Sequence, residues 1–203
     1  MYHIAMEAKR QAGRINQKRR TRAALVSAAV ELVDAGEVPT IPEVADHAGI
    51  SRATAYRYFS SQERLLIEAV LEQALPEIEA VVVNWDLGDD VETRVGQLVE
   101  TVLRTVIEHE ATFRAMLSAS LQIDASEDPA RGGRRLRWIR EAIAPAAGEL
   151  SESEVEDLVA TLTPFFGIEA LIAYCDVASL DRRQAIAASR RACLAILRCT
   201  LSG

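Results

Sequence analysis

Cysteine, proline and glycine are scarce in this chain, at 3, 6 and 10 of 203 residues, and each shortage excludes something. Cys175, Cys193 and Cys199 are too few for a disulfide scaffold, and no two have the C-x-x-C spacing of a redox or zinc motif. Their odd number and apolar surroundings fit reduced, buried thiols of a cytosolic protein. The three histidines (His3, His47, His109) are scattered, so no metal centre is expected. Few glycines and prolines mean few of the tight turns that a β-rich fold needs.

Other absences narrow the function. No apolar run reaches the roughly 18–20 residues of a membrane span, and Met1–Arg22 has no secretory h-region, so a soluble cytoplasmic protein is expected. No Ser/His/Asp or Cys/His grouping, glycine-rich phosphate loop or spaced pair of carboxylates stands out. The expectation is a non-enzyme without a cofactor.

What the chain has is alanine, leucine, glutamate and arginine at helical spacing, with 49% hydrophobic residues. That composition predicts an all-α protein with a substantial core. Charge is unevenly placed. The whole chain carries −7, yet residues 1–67 hold 10 Lys/Arg against 7 Asp/Glu, while residues 68–203 hold 13 against 23. The first 22 residues alone have seven basic groups against Glu7. A basic head on an acidic body is the charge partition of a protein that meets phosphates at one end.

Residues 40–66, TIPEVADHAGISRATAYRYFSSQERLL, are the most informative stretch. Thr40 and Glu43 form a capping box, and Pro42 sits in the first turn, where its missing N–H costs little. Gly49 supplies the positive φ that ends a short helix, and Ser51 caps the next. Ser60 with Glu63 forms a second capping box for a third helix. Ala45 lets two helices cross closely, and Ile50, Ala55 and Phe59 hold the second helix down. Arg52, Ala53, Thr54, Tyr56 and Arg57 are left facing outward. Two arginines, two hydroxyls and a small residue on a protruding helix suit a DNA major groove. Helix pattern alone also allows an ordinary hairpin with a solvated basic face.

The string AGISRATAYRYFSSQERLL closely resembles the DNA-binding signature of the TetR family of one-component transcriptional regulators. Ala48, Gly49, Ile50 and Ser51 match its turn; Tyr56, Tyr58 and Phe59 its aromatic run; Ser61, Gln62, Glu63, Leu65 and Leu66 the start of the following helix. The resemblance covers about the first third of the chain. It departs at Gln62, where a phosphate-contacting lysine is common, and at Ala55, where a bulkier apolar residue is usual. These departures imply one missing charge contact and a more loosely packed recognition helix.

Before this motif, residues 1–16 are expected to be a flexible basic arm. A helix from about 17 to 35 follows, with Ala24, Leu25, Ala28, Ala29 and Leu32 on its apolar stripe and Gly36 at its end. Lys18, Arg19, Arg20 and Arg22 could lie along phosphates or reach a minor groove. The expected domains are a helix-turn-helix head over 17–67 and a helical effector-binding and dimerisation body over 68–203, about nine helices in all.

In the body, helices are predicted over about 61–83 (kinked at Pro76), 91–108, 111–121, 131–148, 151–178 and 181–201, with a polar, turn-rich link at Ile123–Pro129. Ser151 with Glu154, and Asp181, are expected caps. The basic run RGGRRLRWIR (131–140) is assigned to surface ion pairs rather than to nucleic acid. The last two helices are apolar on broad faces and rich in small residues. They predict a symmetric homodimer through a four-helix bundle, with Leu171, Ala188, Ala192, Ala195 and Ile196 at the interface. The resemblance implies the same arrangement.

The resemblance also implies binding to a double-stranded operator by Thr40, Ser51, Arg52, Ala53, Thr54, Tyr56, Arg57 and Tyr58, with Arg19 and Arg20 nearby. Arg52 and Arg57 are the candidates for guanine edges. A small molecule would bind in the body and shift the separation of two heads, releasing a repressor. Candidate lining is Leu103, Phe113, Met116, Leu117, Leu121, Trp138, Phe165, Phe166 and Tyr174, whose apolar tone suggests an apolar or aromatic effector. The competing reading is a helical dimer acting through protein partners, with weak or vestigial DNA binding.

Overall fold

A computed structural model describes residues 2–86, 88–121 and 133–202, and every regular element among them is helical. The predicted link at Ile123–Pro129 and the first residues of the basic run, Arg131 and Gly132, lie outside the described residues. The α-helices are α1 (Tyr2–Asp34), α2 (Ile41–His47), α3 (Arg52–Tyr58), α4 (Gln62–Val83), α5 (Val91–Glu108), α6 (Glu110–Ser120), α7 (Gly133–Ile143), α8 (Glu152–Leu162), α9 (Ile168–Leu171) and α10 (Arg182–Ser202). The backbone over residues 2–16 continues α1 without a break, where the sequence suggested an arm followed by a helix.

The chain divides into two compact units, Met1–Glu72 with Ala115–Ile123, and Gln73–Arg114 with Asp124–Gly203. In the first, α1 buries Leu25, Val26, Ala28 and Ala29 against Ile41, Val44 and Ala45 of α2, Ala55 of α3, Phe59, and Leu65 and Ala69 of α4. Ile50 and Tyr58 pack on the edge of this cluster. Ala45 and Ala55 are wholly buried, which is why small residues stand where helices meet. Arg22 does not remain with the free basic cluster: it pairs with Glu68 at 2.5 Å and lies 5.7 Å over the Phe59 ring.

The second unit is built on α5, whose Val95, Leu98, Val99, Val102, Leu103 and Val106 recur on one face and are buried. Asp90 caps this helix by accepting from Thr93 N–H at 2.8 Å. α10 buries Ala185, Ser189, Cys193, Leu194 and Leu197. Gly96 makes room for the Arg190 guanidinium, whose Nε lies 3.0 Å from where a Cβ would stand. α7 contributes Trp138, Ile139, Ala142 and Ile143 to the same core.

The predicted single helix over 151–178 is corrected. α8 ends at Leu162; Pro164 then sits in a 3-10 turn (Thr163–Phe165), Gly167 adopts φ 116°, and α9 runs on into a π-helical turn, Ile172–Val177. Proline blocks the next α-helical hydrogen bond, and φ 116° suits only glycine. Both signals are in the sequence, inside an apolar run that masked them. The predicted helix through Pro76 does form, as α4.

Arginines of α7 form ion pairs, as expected for the basic run. Arg135 pairs with Glu169 at 3.2 Å, Arg140 with Glu156 at 2.6 Å, and Arg137 with Glu79. No single described helix is long and apolar enough to cross a membrane. The bent pair Glu152–Phe165 and Ile168–Val177 has the length and composition together, and its Leu158, Val159, Leu162, Ile168 and Leu171 are buried in the body's core.

Candidate nucleic-acid interface

The head holds α3 by hydrogen bonds that the sequence encodes locally. At its entrance, Thr40 and Glu43 form the predicted capping box: Thr40 N–H donates to Glu43 Oε2 at 2.7 Å, and Glu43 N–H to Thr40 Oγ1 at 3.5 Å. The Thr40 N–H and the Thr40 hydroxyl, both donating to it, hold the Glu43 carboxyl below its ordinary range. α2 ends in a Schellman turn, with Gly49 at φ 65°, Gly49 N–H to the Asp46 carbonyl at 3.2 Å and Ile50 N–H to the Ala45 carbonyl at 2.8 Å. Ser51 then caps α3, accepting from Thr54 N–H at 3.3 Å. The cap on α4 is shifted by one from the expectation: Ser61, not Ser60, accepts from Arg64 N–H at 3.3 Å.

α3 is short, and its two faces separate cleanly. Ala55 is buried and Tyr58 half-buried, while Arg52, Ala53, Tyr56 and Arg57 are exposed along one side. Those four positions share a face because residues four apart lie one turn above each other. Tyr56 is 52% exposed, unusual for an aromatic ring and open to a partner. Arg57 Cζ lies 5.9 Å from the Tyr58 ring centre. Thr54 is half-buried beside them.

Hydroxyl chemistry divides the polar candidates. Phosphate oxygens only accept, so a useful hydroxyl must have a proton to give. Thr40 Oγ1–H donates to Glu43 Oε2 at 2.7 Å, and Ser51 Oγ–H donates to Thr54 Oγ1 at 2.8 Å. Thr54 accepts in that bond and keeps its own proton. Arg19 and Arg20 are exposed on α1, and no hydrogen bond or ion pair among the described residues joins them to α3.

Arg52, a base-edge candidate, is already paired with a carboxylate. Its Nε and Nη2 donate to Oδ1 and Oδ2 of Asp46 at 3.3 and 2.6 Å. The hydrogen bond raises the Arg52 pKa and holds the Asp46 carboxyl below its ordinary value. Asp46 was not among the residues expected from sequence. Its position six residues before Arg52, across a glycine turn, is the signal that would have found it.

In the second unit, Leu103, Phe113, Trp138 and Phe166 are buried, with Phe165 and Tyr174 half-buried. Trp138 Nε1–H donates to Glu79 at 3.1 Å. Met116, Leu117 and Leu121 fall in the first unit, and Leu121 is 72% exposed. A groove of about 670 Å³ lies elsewhere on the body, lined by Glu100, Arg104, Ile107 and Glu108 of α5 and by Arg182, Arg183, Ile186, Ala187, Arg190 and Arg191 of α10. None of these ten is among the nine lining residues expected from sequence.

Of the expected interface residues, Ala188, Ala192 and Ile196 are half-buried and Ala195 is exposed, so their α10 face is open to a partner. Leu171 is not. It is 1% exposed within its own protomer, because the break at Gly167 turns it into the body's core. Among the described residues no group of His, Cys, Asp or Glu comes together as a metal site.

Residues 25–69 match the family model described as bacterial regulatory proteins, tetR family. In fold, the chain is similar to a TetR transcriptional regulator from Rhodococcus sp. RHA1, at 23% identity over 89% of this chain and 97% of that one, with a TM-score of 0.62. It is also similar to a TetR family transcription regulator from Marinobacter aquaeolei VT8, at 21% identity over 87% and 97% of the two chains, with a TM-score of 0.54. A search of curated proteins finds no significant match.

Proposed function

Since the chain is a TetR-family regulator whose DNA-binding head includes residues 25–69, we propose that it acts in the cytoplasm as a homodimeric repressor. It would bind a pseudo-palindromic operator and leave it when a small apolar or aromatic effector binds. The exposed face of α3, with Arg52, Ala53, Tyr56 and Arg57 side by side, is the observation that carries this reading. On a two-fold axis, two such helices would enter successive major grooves about 34 Å apart. Arg52 and Arg57 would meet base edges. Thr54, Tyr56, Tyr58, Arg19 and Arg20 would position the head on phosphates, with Thr40 and Ser51 shaping the helix ends.

Residues 17–67 would form the DNA-binding domain and 68–203 the effector-binding and dimerisation domain. Support for dimerisation is the open α10 face of Ala188, Ala192, Ala195 and Ile196, small enough for close helix contact. Support for an effector is the half-buried rings of Phe165 and Tyr174 in the body. The effector need only bind one arrangement of the dimer better than the other.

The test is a fluorescence-anisotropy titration against duplex DNA from upstream of the protein's own reading frame, at several salt concentrations. Binding should weaken steeply with salt, and Arg52→Ala should cost about 1–3 kcal/mol on a specific site. Absence of salt-sensitive binding would leave the partner-dependent helical dimer as the better reading. Sedimentation equilibrium checks the dimer, and a thermal-shift screen of small apolar compounds checks the effector.

A further inference from the structure

We propose that Asp46 is a specificity-determining positioning residue, holding the Arg52 guanidinium side-on so that its free outer edge meets one guanine in each operator half-site. The proposal rests on α3 being the DNA-reading helix.

A guanidinium has five N–H donors in one plane. Asp46 takes two of them, Nε–H toward Oδ1 at 3.3 Å and one Nη2–H toward Oδ2 at 2.6 Å. The second Nη2–H and an Nη1–H then lie parallel along the opposite, end-on edge. That pair is spaced for the O6 and N7 acceptors of guanine. One arginine can therefore keep its carboxylate and grip a base at the same time.

The anchor is stiff where the arginine is not. Asp46 sits in the last turn of α2, and its carbonyl accepts the Gly49 N–H at 3.2 Å within the Schellman turn. Arg52 is the first residue of α3, and its long side chain would otherwise sample many rotamers. Fixing it before DNA arrives lowers the ordering cost of binding. As a fold staple the pair is poor: the two side chains are 63% and 58% exposed, and such surface pairs add little stability. A carboxylate facing DNA also repels phosphate, so it weakens sequence-independent binding while improving discrimination.

The test is selection of binding sites from a pool of randomised duplexes by the full-length protein, its Asp46→Asn form, and its Arg52→Ala and Arg52→Lys forms. Thermal melting is recorded for each. Wild type should fix a guanine at one position per half-site and discriminate against its replacement by about tenfold or more. Asp46→Asn should melt near wild type, lose most of that preference, and bind unrelated duplex slightly tighter. Arg52→Lys keeps a charge but has no second edge, so it should relax the same position as Arg52→Ala. Full wild-type preference in Asp46→Asn would overturn the role of Asp46 while leaving DNA reading intact. The same preference in Arg52→Lys would also overturn it, whatever the fate of Asp46→Asn. No enriched sequence from wild type would overturn the regulator reading itself.

Discussion

Arg114 grips Asp176 through both terminal nitrogens, Nη1 to Oδ2 at 2.8 Å and Nη2 to Oδ1 at 2.9 Å, while its Nε donates to Glu110 at 2.7 Å. Arg182, at the start of α10, adds a bond to the same Glu110 at 2.7 Å. The network ties α6, the π-helical turn and α10 within the body. The hydrogen bonds from Arg114 hold the Asp176 carboxyl below its ordinary 3.8. Burial alone would push Glu110 up, but the bonds from Arg114 and Arg182 outweigh it and hold its carboxyl below 4.5.

Both carboxylates are thus more acidic folded than unfolded. Their stabilisation is present above the ordinary values of 4.5 and 3.8 and is lost as pH falls through the lower folded ones. Melting temperature should therefore drop below about pH 4.5. Asp176→Asn should flatten part of that acid limb, seen by circular dichroism between pH 7 and pH 3. An acid limb identical to wild type would remove Asp176 from the account.

Gly167 combines φ 116° with a wall of side chain: a Cβ would stand 2.5 Å from Arg135 Nη2 and 2.9 Å from Arg135 Cζ. Gly167→Ala should destabilise the body by about 1–3 kcal/mol, from backbone strain and the displaced arginine together. Gly133→Ala, where nothing lies within 4 Å of the added carbon, is the matched control and should be neutral or stabilising. Urea titration distinguishes the two.

Ala55 stands where the family usually carries a bulkier residue, yet it is wholly buried in the head's core. Ala55→Leu should overpack the site and lower head stability by about 1–3 kcal/mol, measured by thermal or urea unfolding. A stabilised Ala55→Leu would mean that the core has room to spare.

Arg19 and Arg20 are expected to meet phosphates and not bases. Replacing either by alanine should weaken binding uniformly across sequences and reduce the slope of log affinity against log salt by about 1. A change in sequence preference would instead assign that arginine to a groove.

The cysteines were expected to be alike and are not. Cys193 is wholly buried, and burial pushes its thiol up to about 12, whereas Cys199 is exposed on α10. Because Cys199 shares the α10 stripe proposed as the dimer face, a thiol reagent at neutral pH should label it quickly in dilute, dissociated protomers, and Cys193 only after unfolding. Cys199→Ser should abolish the fast phase.

Features set within a few residues were legible from sequence. The Thr40–Glu43 box, the Gly49 turn, the Ser51 cap and the Asp181 cap, which accepts from Gln184 N–H at 2.8 Å, all formed as read. Their bonds close over three to five residues, so neighbours in sequence suffice to specify them. The family resemblance lay in the same local string. Ser61 replacing Ser60 as cap is the expected size of error when two serines adjoin.

Leu171 shows where local reading fails. Counting a straight 3.6-residue period from α8 places it on a dimer-facing stripe, but a 3-10 turn and a glycine break reset the phase before it, and it became core. Arg22 and Arg52 show the same limit for charge. Sequence placed both in a basic head; folding brought Glu68 to one and Asp46 to the other.

By itself, then, the sequence determined helix identity, caps, the recognition helix and the division of charge, because these depend on contacts along a few turns of chain. Tertiary structure decided which apolar faces are covered, which arginines are engaged, and that Asp46 stands behind Arg52. Those outcomes depend on the directions of helices after each turn, and a small change in backbone rotation there moves a side chain from solvent to core.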